Sequence, residues 1–180
     1  FVANNETINH GTITLISASS GSIINIQNAG ESTGSFIILG GLGQDTLIGG
    51  DRDDNIDGGD GNDIISGGDG IDIINAGAGA DIITIGTAGH GNSDTVDGGG
   101  GADVLQLSSG THTFGTDNKL LAVETVKTDA TLGSEVDLSG QSEGFTVTGS
   151  GAIDKITGSS GTDIINAGAG ADIITIGTAG

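Results

Sequence analysis

From Gly40 onward the chain divides into consecutive nine-residue blocks, GGLGQDTLI, GGDRDDNID, GGDGNDIIS, GGDGIDIIN and AGAGADIIT. After an irregular stretch at 85–88 the register resumes at Gly89 with GHGNSDTVD and GGGGADVLQ. It returns at Gly149 with GSGAIDKIT, GSSGTDIIN and AGAGADIIT. In every block the sixth residue is Asp: Asp45, Asp54, Asp63, Asp72, Asp81, Asp94, Asp103, Asp154, Asp163 and Asp172. The eighth is always aliphatic: Leu47, Ile56, Ile65, Ile74, Ile83, Val96, Leu105, Ile156, Ile165 and Ile174. Such a period fits no helix, but it fits a turn followed by a short strand whose central side chain points inward. Glycines serve the turn, where a Cβ would block the backbone, and β-branched Ile serves the strand.

One inward residue per block buries too little surface to offset chain entropy, so block must stack on block. Stacking also aligns the polar halves. Columns of carboxylates held a strand spacing apart, about 4.8 Å, repel strongly if bare. A cation between them removes the conflict. The ligands on offer are hard oxygens, Asp carboxylates and glycine carbonyls, with no Cys and no regularly placed His, so calcium, as several ions, is the natural occupant.

Composition narrows the partners. With 24 acidic residues against four basic ones (Arg52, Lys119, Lys127 and Lys155) the formal charge is −20, which excludes nucleic acid and anionic membrane surfaces. Glycine supplies 37 residues, aromatic residues only 2 %, and Pro, Cys, Met, Trp and Tyr are absent. A thick conventional core is therefore not expected, and collagen is excluded by the missing proline. Without Cys there is no disulfide and no thiol for zinc or nucleophilic chemistry. No apolar run approaches the roughly 18 residues of a membrane helix, and no secretory leader opens the chain, so membrane insertion is not expected. The missing Met reads as a processed or excised segment.

At these blocks the chain resembles the RTX family of secreted bacterial proteins, whose nonapeptide is GGxGxDxUx with U aliphatic. The resemblance implies an all-β fold, a parallel β-roll or β-helix solenoid, with two nonapeptides per coil and calcium between successive coils on each side. It implies that each sixth-position Asp gives its carboxylate. Backbone carbonyls would come from Gly41, Gly43, Gly50, Gly59, Gly61, Gly68, Gly70, Gly77, Gly79, Gly161, Gly168 and Gly170. Alternate blocks then share a column, placing Asp45, Asp63 and Asp81 on one side and Asp54 and Asp72 on the other, with Asp154 and Asp172 together opposite Asp163. Arg52 and Ala152 replace the fourth-position glycine, and Ser150 and Ser159 the second, so weaker calcium binding is expected there. The block LSSGTHTFG after Gln106 lacks the Asp and marks the expected end of the first ladder.

Residues 72–89 and 163–180 are identical, an offset of 91, whereas Phe36 aligns with Phe145 at an offset of 109. The difference is two blocks, or one coil, which a solenoid can lose without changing which side any column faces. We therefore expect a metal-free β-rich segment at 1–39 and a calcium-binding β-roll at 40–106. A second metal-free segment at 107–148 leads into a second, truncated roll at 149–180. In the flanks, 12–16 (TITLI) and 22–26 (SIINI) read as strands, and Ile38, Leu138 and Val147 continue the nine-residue spacing. Phe36 and Phe145 stand where Asp is expected and read as apolar covers for the solenoid end. Helix has one modest candidate, 118–126.

Other motifs read as structure. Gly30–Gly34 and Gly140–Gly144 match the GxSxG nucleophile elbow, but both precede a strand where the elbow precedes a helix. His10, His90 and His112 have no zinc-ligand spacing and read as surface residues. Residues 51–55 (DRDDN) resemble an EF-hand start without its later Gly and Glu. The third-position acids Asp51, Asp60 and Asp69 read as adding negative potential without acting as ligands. The chain is accordingly expected to be no enzyme but a calcium-binding structural module of a secreted or cell-surface bacterial protein. It would fold on calcium binding, be exported by type I secretion and support a surface layer, adhesin or matrix through self-association or neighbouring modules. The alternative is the C-terminal RTX region of a secreted hydrolase or toxin with its catalytic domain elsewhere.

Overall fold

The computed structural model describes residues 12–17, 21–27, 34–85, 93–129 and 131–177. Most of the first GxSxG pentapeptide, His10, His90 and the start of the block at Gly89 lie outside the described residues. Among those described, every regular element is a strand: β1 Ile13–Ile16, β2 Ile23–Asn25, β3 Phe36–Leu42, β4 Thr46–Ile48, β5 Asn55–Asp60, β6 Ile64–Ser66, β7 Ile73–Asn75, β8 Ile82–Ile85 and β9 Thr95–Asp97. They continue with β10 Val104–Leu107, β11 Gly110–Thr113, β12 Leu120–Leu121, β13 Thr125–Lys127, β14 Ser134–Asp137, β15 Thr146–Thr148, β16 Lys155–Thr157, β17 Ile164–Asn166 and β18 Ile173–Thr175.

The strands pair in parallel into three sheets. One sheet runs through the whole stack in the order β2-β4-β6-β8-β10-β13-β15-β17. The first facing sheet is β1-β3-β5-β7-β9-β12 and the second is β11-β14-β16-β18. Through the first blocks the chain alternates between the continuous sheet and its facing sheet, so a coil is two blocks, as Leu47 beside Ile65 beside Ile83 shows. This is an all-β, parallel β-solenoid of the expected β-roll type.

The reason is visible in each block. The central strand residue is sealed in the interior: Leu47, Ile56, Ile65, Ile83, Val96, Leu105 and Ile156 are all fully buried. Together with Ile24, Ile38, Val126, Val136 and Val147 they form one continuous apolar cluster. Stacking makes the buried file, since each residue is covered by its counterparts one coil above and below. In β18, the last described strand, Ile174 has a counterpart on one side among the described residues and is 48 % exposed.

Between Leu105 and Val126 the nine-residue register is lost, and the architecture changes there. β11 and β12 both fall in the coil between β10 and β13. β12 pairs back onto β9, while β11 pairs forward onto β14. The facing sheet is thus handed over while the continuous sheet passes through unbroken. The helix anticipated at 118–126 is instead β12 and β13, separated by Ala122 at φ 49, a left-handed residue that ends the first strand.

Three further expectations change. Phe36 and Phe145 are buried within the stack, because β1 lies beyond β3 and β13 beyond β15. They fill the interior and do not cover its end. His112 is not a surface residue: it occupies the inward position of β11, fully buried, with Nε2 2.9 Å from the Ser108 carbonyl oxygen, and burial lowers its pKa. Leu138 is buried but lies beyond β14, whose inward residue is Val136. The turn reading of Gly140–Gly144 stands, with Gln141 buried and its Nε2 donating to the carbonyls of Phe114 (3.0 Å) and Thr116 (2.8 Å).

The two neighbours Ile64 and Ile65 separate inward from outward positions. Ile65→Ala removes a fully buried side chain and is expected to cost about 2–5 kcal/mol, whereas Ile64→Ala, on the half-exposed outer face, should cost under about 1 kcal/mol. Denaturant unfolding in saturating calcium measures both, and equal costs would contradict the stacked interior.

Candidate metal centre

The turns stack as regularly as the strands. Asp45, Asp63, Asp81 and Asp103 each precede a strand of the continuous sheet and form one file, while Asp54, Asp72 and Asp94 form another beside the first facing sheet. In the last coils Asp154 and Asp172 stand beside the second facing sheet, opposite Asp163. The sharing of columns by alternate blocks is thus what the fold provides.

Each aspartate reaches one coil back. Oδ1 of Asp63 accepts the N–H of Asp45 at 2.8 Å, Oδ1 of Asp81 accepts that of Asp63 at 2.7 Å, and Oδ1 of Asp103 accepts that of Asp81 at 2.8 Å. The other file repeats the pattern: Asp54 Oδ1 accepts from Phe36, Asp72 Oδ1 from Asp54 and Asp94 Oδ1 from Asp72, each at 2.8 Å. In the last coils Asp154 Oδ1 accepts from Ser134 (2.7 Å), Asp172 Oδ1 from Asp154 (3.0 Å) and Asp163 Oδ1 from Phe145 (3.0 Å). Phe36 and Phe145 therefore head their files, donating a backbone N–H while their side chains replace a carboxylate with apolar bulk.

The glycines make this geometry possible. A Cβ on Gly58 would lie 2.3 Å from the Ala76 carbonyl oxygen and 2.6 Å from Oδ2 of Asp63, so no other residue fits there. Gly59, at φ +96, has the left-handed backbone that side chains avoid. The turn backbone is itself laddered: Gly61 N–H donates to Ala78 O at 2.7 Å and Ala78 N–H to Gly59 O at 2.7 Å. Strand pairing even runs into the turn, joining Gly41 to Gly59 and Leu42 to Asp60. Among the glycines carried over as carbonyl donors, Gly50, Gly59 and Gly77 already accept an N–H from the next coil, and each carbonyl keeps a second lone pair.

The remaining oxygens decide what the turns can do. Oδ2 of Asp45, Asp63, Asp72, Asp81 and Asp103 is buried with no hydrogen-bond partner. A buried carboxylate oxygen without a donor requires either a proton or a cation. Burial pushes the Asp72 carboxyl up to about 7, helped by the charges of Asp94, Asp54 and Asp53 and opposed by the Asp54 N–H. Burial likewise raises Asp54, Asp63, Asp81 and Asp103. Among the described residues no three acidic, His or Cys side chains converge on a point. A cation here would therefore draw on carboxylates and main-chain carbonyls together, an all-oxygen donor set that fits calcium.

Some contributors escape the block pattern. Glu124 Oε2 accepts the N–H of Asp103 at 2.7 Å, so the first file runs one step beyond its last Asp. Its signal was an acid two residues before the inward Val126, the same offset as Asp103 to Leu105. Gly99 and Gly101, at φ +85 and +153, repeat the turn backbone of Gly59 and Gly61 ahead of Asp103. Asp51, Asp60 and Asp69 are exposed and stand outside the files.

The family profile of the RTX calcium-binding nonapeptide repeat matches the chain in four copies, at residues 39–74, 63–87, 88–111 and 146–177, more than half of its length. No curated protein matches the chain, and no solved structure does.

Folding raises these carboxyls above the ordinary value of 3.8, so the folded chain binds protons more tightly than the unfolded one. Without metal, that contribution is complete below 3.8 and is lost as pH rises through about 7. The thermal midpoint in chelator is expected to fall between about pH 4 and about pH 7, and saturating calcium should flatten the slope. A midpoint that climbs across this interval in chelator would contradict the buried, unpartnered carboxylates.

Proposed function

The chain belongs to the RTX calcium-binding nonapeptide repeat family, and we propose that it is a non-catalytic structural module of a secreted or cell-surface bacterial protein that becomes rigid when calcium enters its turns. The observation that carries this reading is the set of buried Asp Oδ2 atoms that no group among the described residues satisfies. The residues that would hold calcium are the sixth-position aspartates whose Oδ2 lacks a donor, Asp45, Asp63, Asp72, Asp81 and Asp103, with carbonyls of the glycine turns beside them. Calcium would supply positive charge between stacked carboxylates, while the chain's own part is to align those carboxylates coil on coil.

Charge explains why folding should wait for the metal. At −20, and with an interior one side chain wide, the bare chain has the composition of a disordered polypeptide, so binding free energy becomes folding free energy. Calcium is scarce in cytosol and plentiful outside cells. A chain of this kind can leave the cell unfolded, by a type I route, and fold on arrival. A surface layer, adhesin or matrix suits the result, since calcium can bridge exposed acids such as Asp51, Asp60 and Asp69 of adjacent rolls.

Far-UV circular dichroism of the chelated chain titrated with calcium tests the reading. Strand signal should appear cooperatively with calcium and far less with magnesium, which prefers a small octahedral shell and keeps its water. Strand content already complete in excess chelator at neutral pH would overturn it. Light scattering in calcium, in chelator and in matched sodium chloride tests assembly: calcium alone should produce large particles, and monomers at millimolar calcium would reject the lattice role.

A further inference from the structure

The turns fall into two conformations, and the division follows the residues at block positions two and four. In the blocks of Asp45, Asp63, Asp72, Asp81 and Asp103 the second position is a glycine with a left-handed backbone, at φ +106, +96, +98, +102 and +85 for Gly41, Gly59, Gly68, Gly77 and Gly99. The fourth position of these blocks is also a glycine at positive φ. In all five the aspartate Oδ2 is buried without a partner; the turn of Asp172, with Gly168 at φ +90 and Gly170 at φ +148, has the same backbone in the partly exposed last described coil.

The other conformation occurs before Asp54, Asp154 and Asp163. There neither the second nor the fourth position is left-handed. The second-position N–H turns onto the block's own carboxylate instead: Gly50 N–H donates to Asp54 Oδ2 at 2.8 Å, Ser150 N–H to Asp154 Oδ2 at 2.7 Å and Ser159 N–H to Asp163 Oδ2 at 2.8 Å. The serines add their hydroxyls, Ser150 Oγ to Asp154 Oδ2 and Ser159 Oγ to Asp163 Oδ1, both at 2.8 Å.

Sequence accounts for the division. The left-handed turn needs glycine at both positions. Arg52 and Ala152 interrupt it at the fourth, and Ser150 and Ser159 at the second. One interruption suffices: Gly50, beside Arg52, and Gly161, beside Ser159, also leave the left-handed region. The peptide then reverses, and a main-chain N–H takes the place that a counter-ion would occupy.

We infer that calcium enters the glycine-glycine turns alone, as a file along Asp45, Asp63, Asp81 and Asp103 with further sites at Asp72 and Asp172, and that the turns of Asp54, Asp154 and Asp163 are closed to it by their own main-chain N–H. The inference rests on the calcium-binding reading above. The ion file then lies chiefly beside the continuous sheet, where those four aspartates are linked coil to coil by hydrogen bonds. The interrupted turns are bonded in the absence of metal and act as fixed spacers.

Bound calcium counted by equilibrium dialysis with elemental analysis of the full chain tests this. Asp63→Asn should lower the ion count, and Asp54→Asn and Asp163→Asn should leave it unchanged. Arg52→Gly restores glycine at both positions of its block and should raise the count, and this variant keeps the result decisive where an Asn variant fails to fold. Loss of as many ions from Asp163→Asn as from Asp63→Asn, or no gain from Arg52→Gly, overturns the assignment while leaving calcium binding intact. A wild-type chain that binds no calcium would overturn the proposed function itself.

Discussion

The structure depends on one hydrogen bond repeated coil after coil, from a main-chain N–H to the aspartate carboxylate of the next coil. It ties turn to turn where glycine offers no side chain to pack, and a charged acceptor makes it stronger than an amide pair. Charge and burial oppose each other at the same group, however, and burial prevails for Asp72 and its neighbours, whose carboxyls are pushed upward. The chain cannot relieve this internally. Its first-position glycines leave no room for a cationic side chain, and two of its few basic groups are engaged elsewhere, Lys119 with the Ser93 carbonyl and Lys155 with Glu135 on the surface. An external cation completes the arrangement.

The apolar half obeys the same economy of space. Between two sheets joined by tight turns each short strand buries only one or two side chains, so the interior is built mainly of Leu, Ile and Val, with Phe36, Phe114 and Phe145 as its aromatic members. Phe36 and Phe145 each stand where a carboxylate would begin a file, and there the chain keeps the N–H bond to the next aspartate but buries an apolar ring instead of a charge. Surface ion pairs such as Lys155 with Glu135 add little to this balance.

Much of this was legible from the residues because the determinants are periodic. A nine-residue spacing of Asp and Ile dictates strand length, inward positions and the files of Asp45 to Asp81 without reference to distant contacts, whereas Asp94 and Asp103 rejoin those files across 22-residue coils that only the fold reveals. The handover of the facing sheet was not legible, since between Leu105 and Val126 the pattern lapses and pairing partners are chosen by tertiary fit. His112 at an inward position and the strands in place of a helix at 118–126 belong to that same stretch. Glu124 extends its file on the strength of a single offset, too weak a signal on its own. The serines and Arg52 were visible as departures, but that they turn an N–H onto the carboxylate emerges only from the backbone.

A stack of parallel coils has its inter-strand hydrogen bonds directed along the long axis. Tension applied between its two ends therefore pulls on those bonds one coil at a time, as in unzipping, where a sandwich loaded along its strands would have to shear many at once. Each of the regular two-block coils that peels away releases eighteen residues, or about 60 Å of extended chain, and the coils around the handover release more. A module of this kind would lengthen under load step by step, one coil at a time, and each returning coil would find its neighbour's carboxylates already in place as a template.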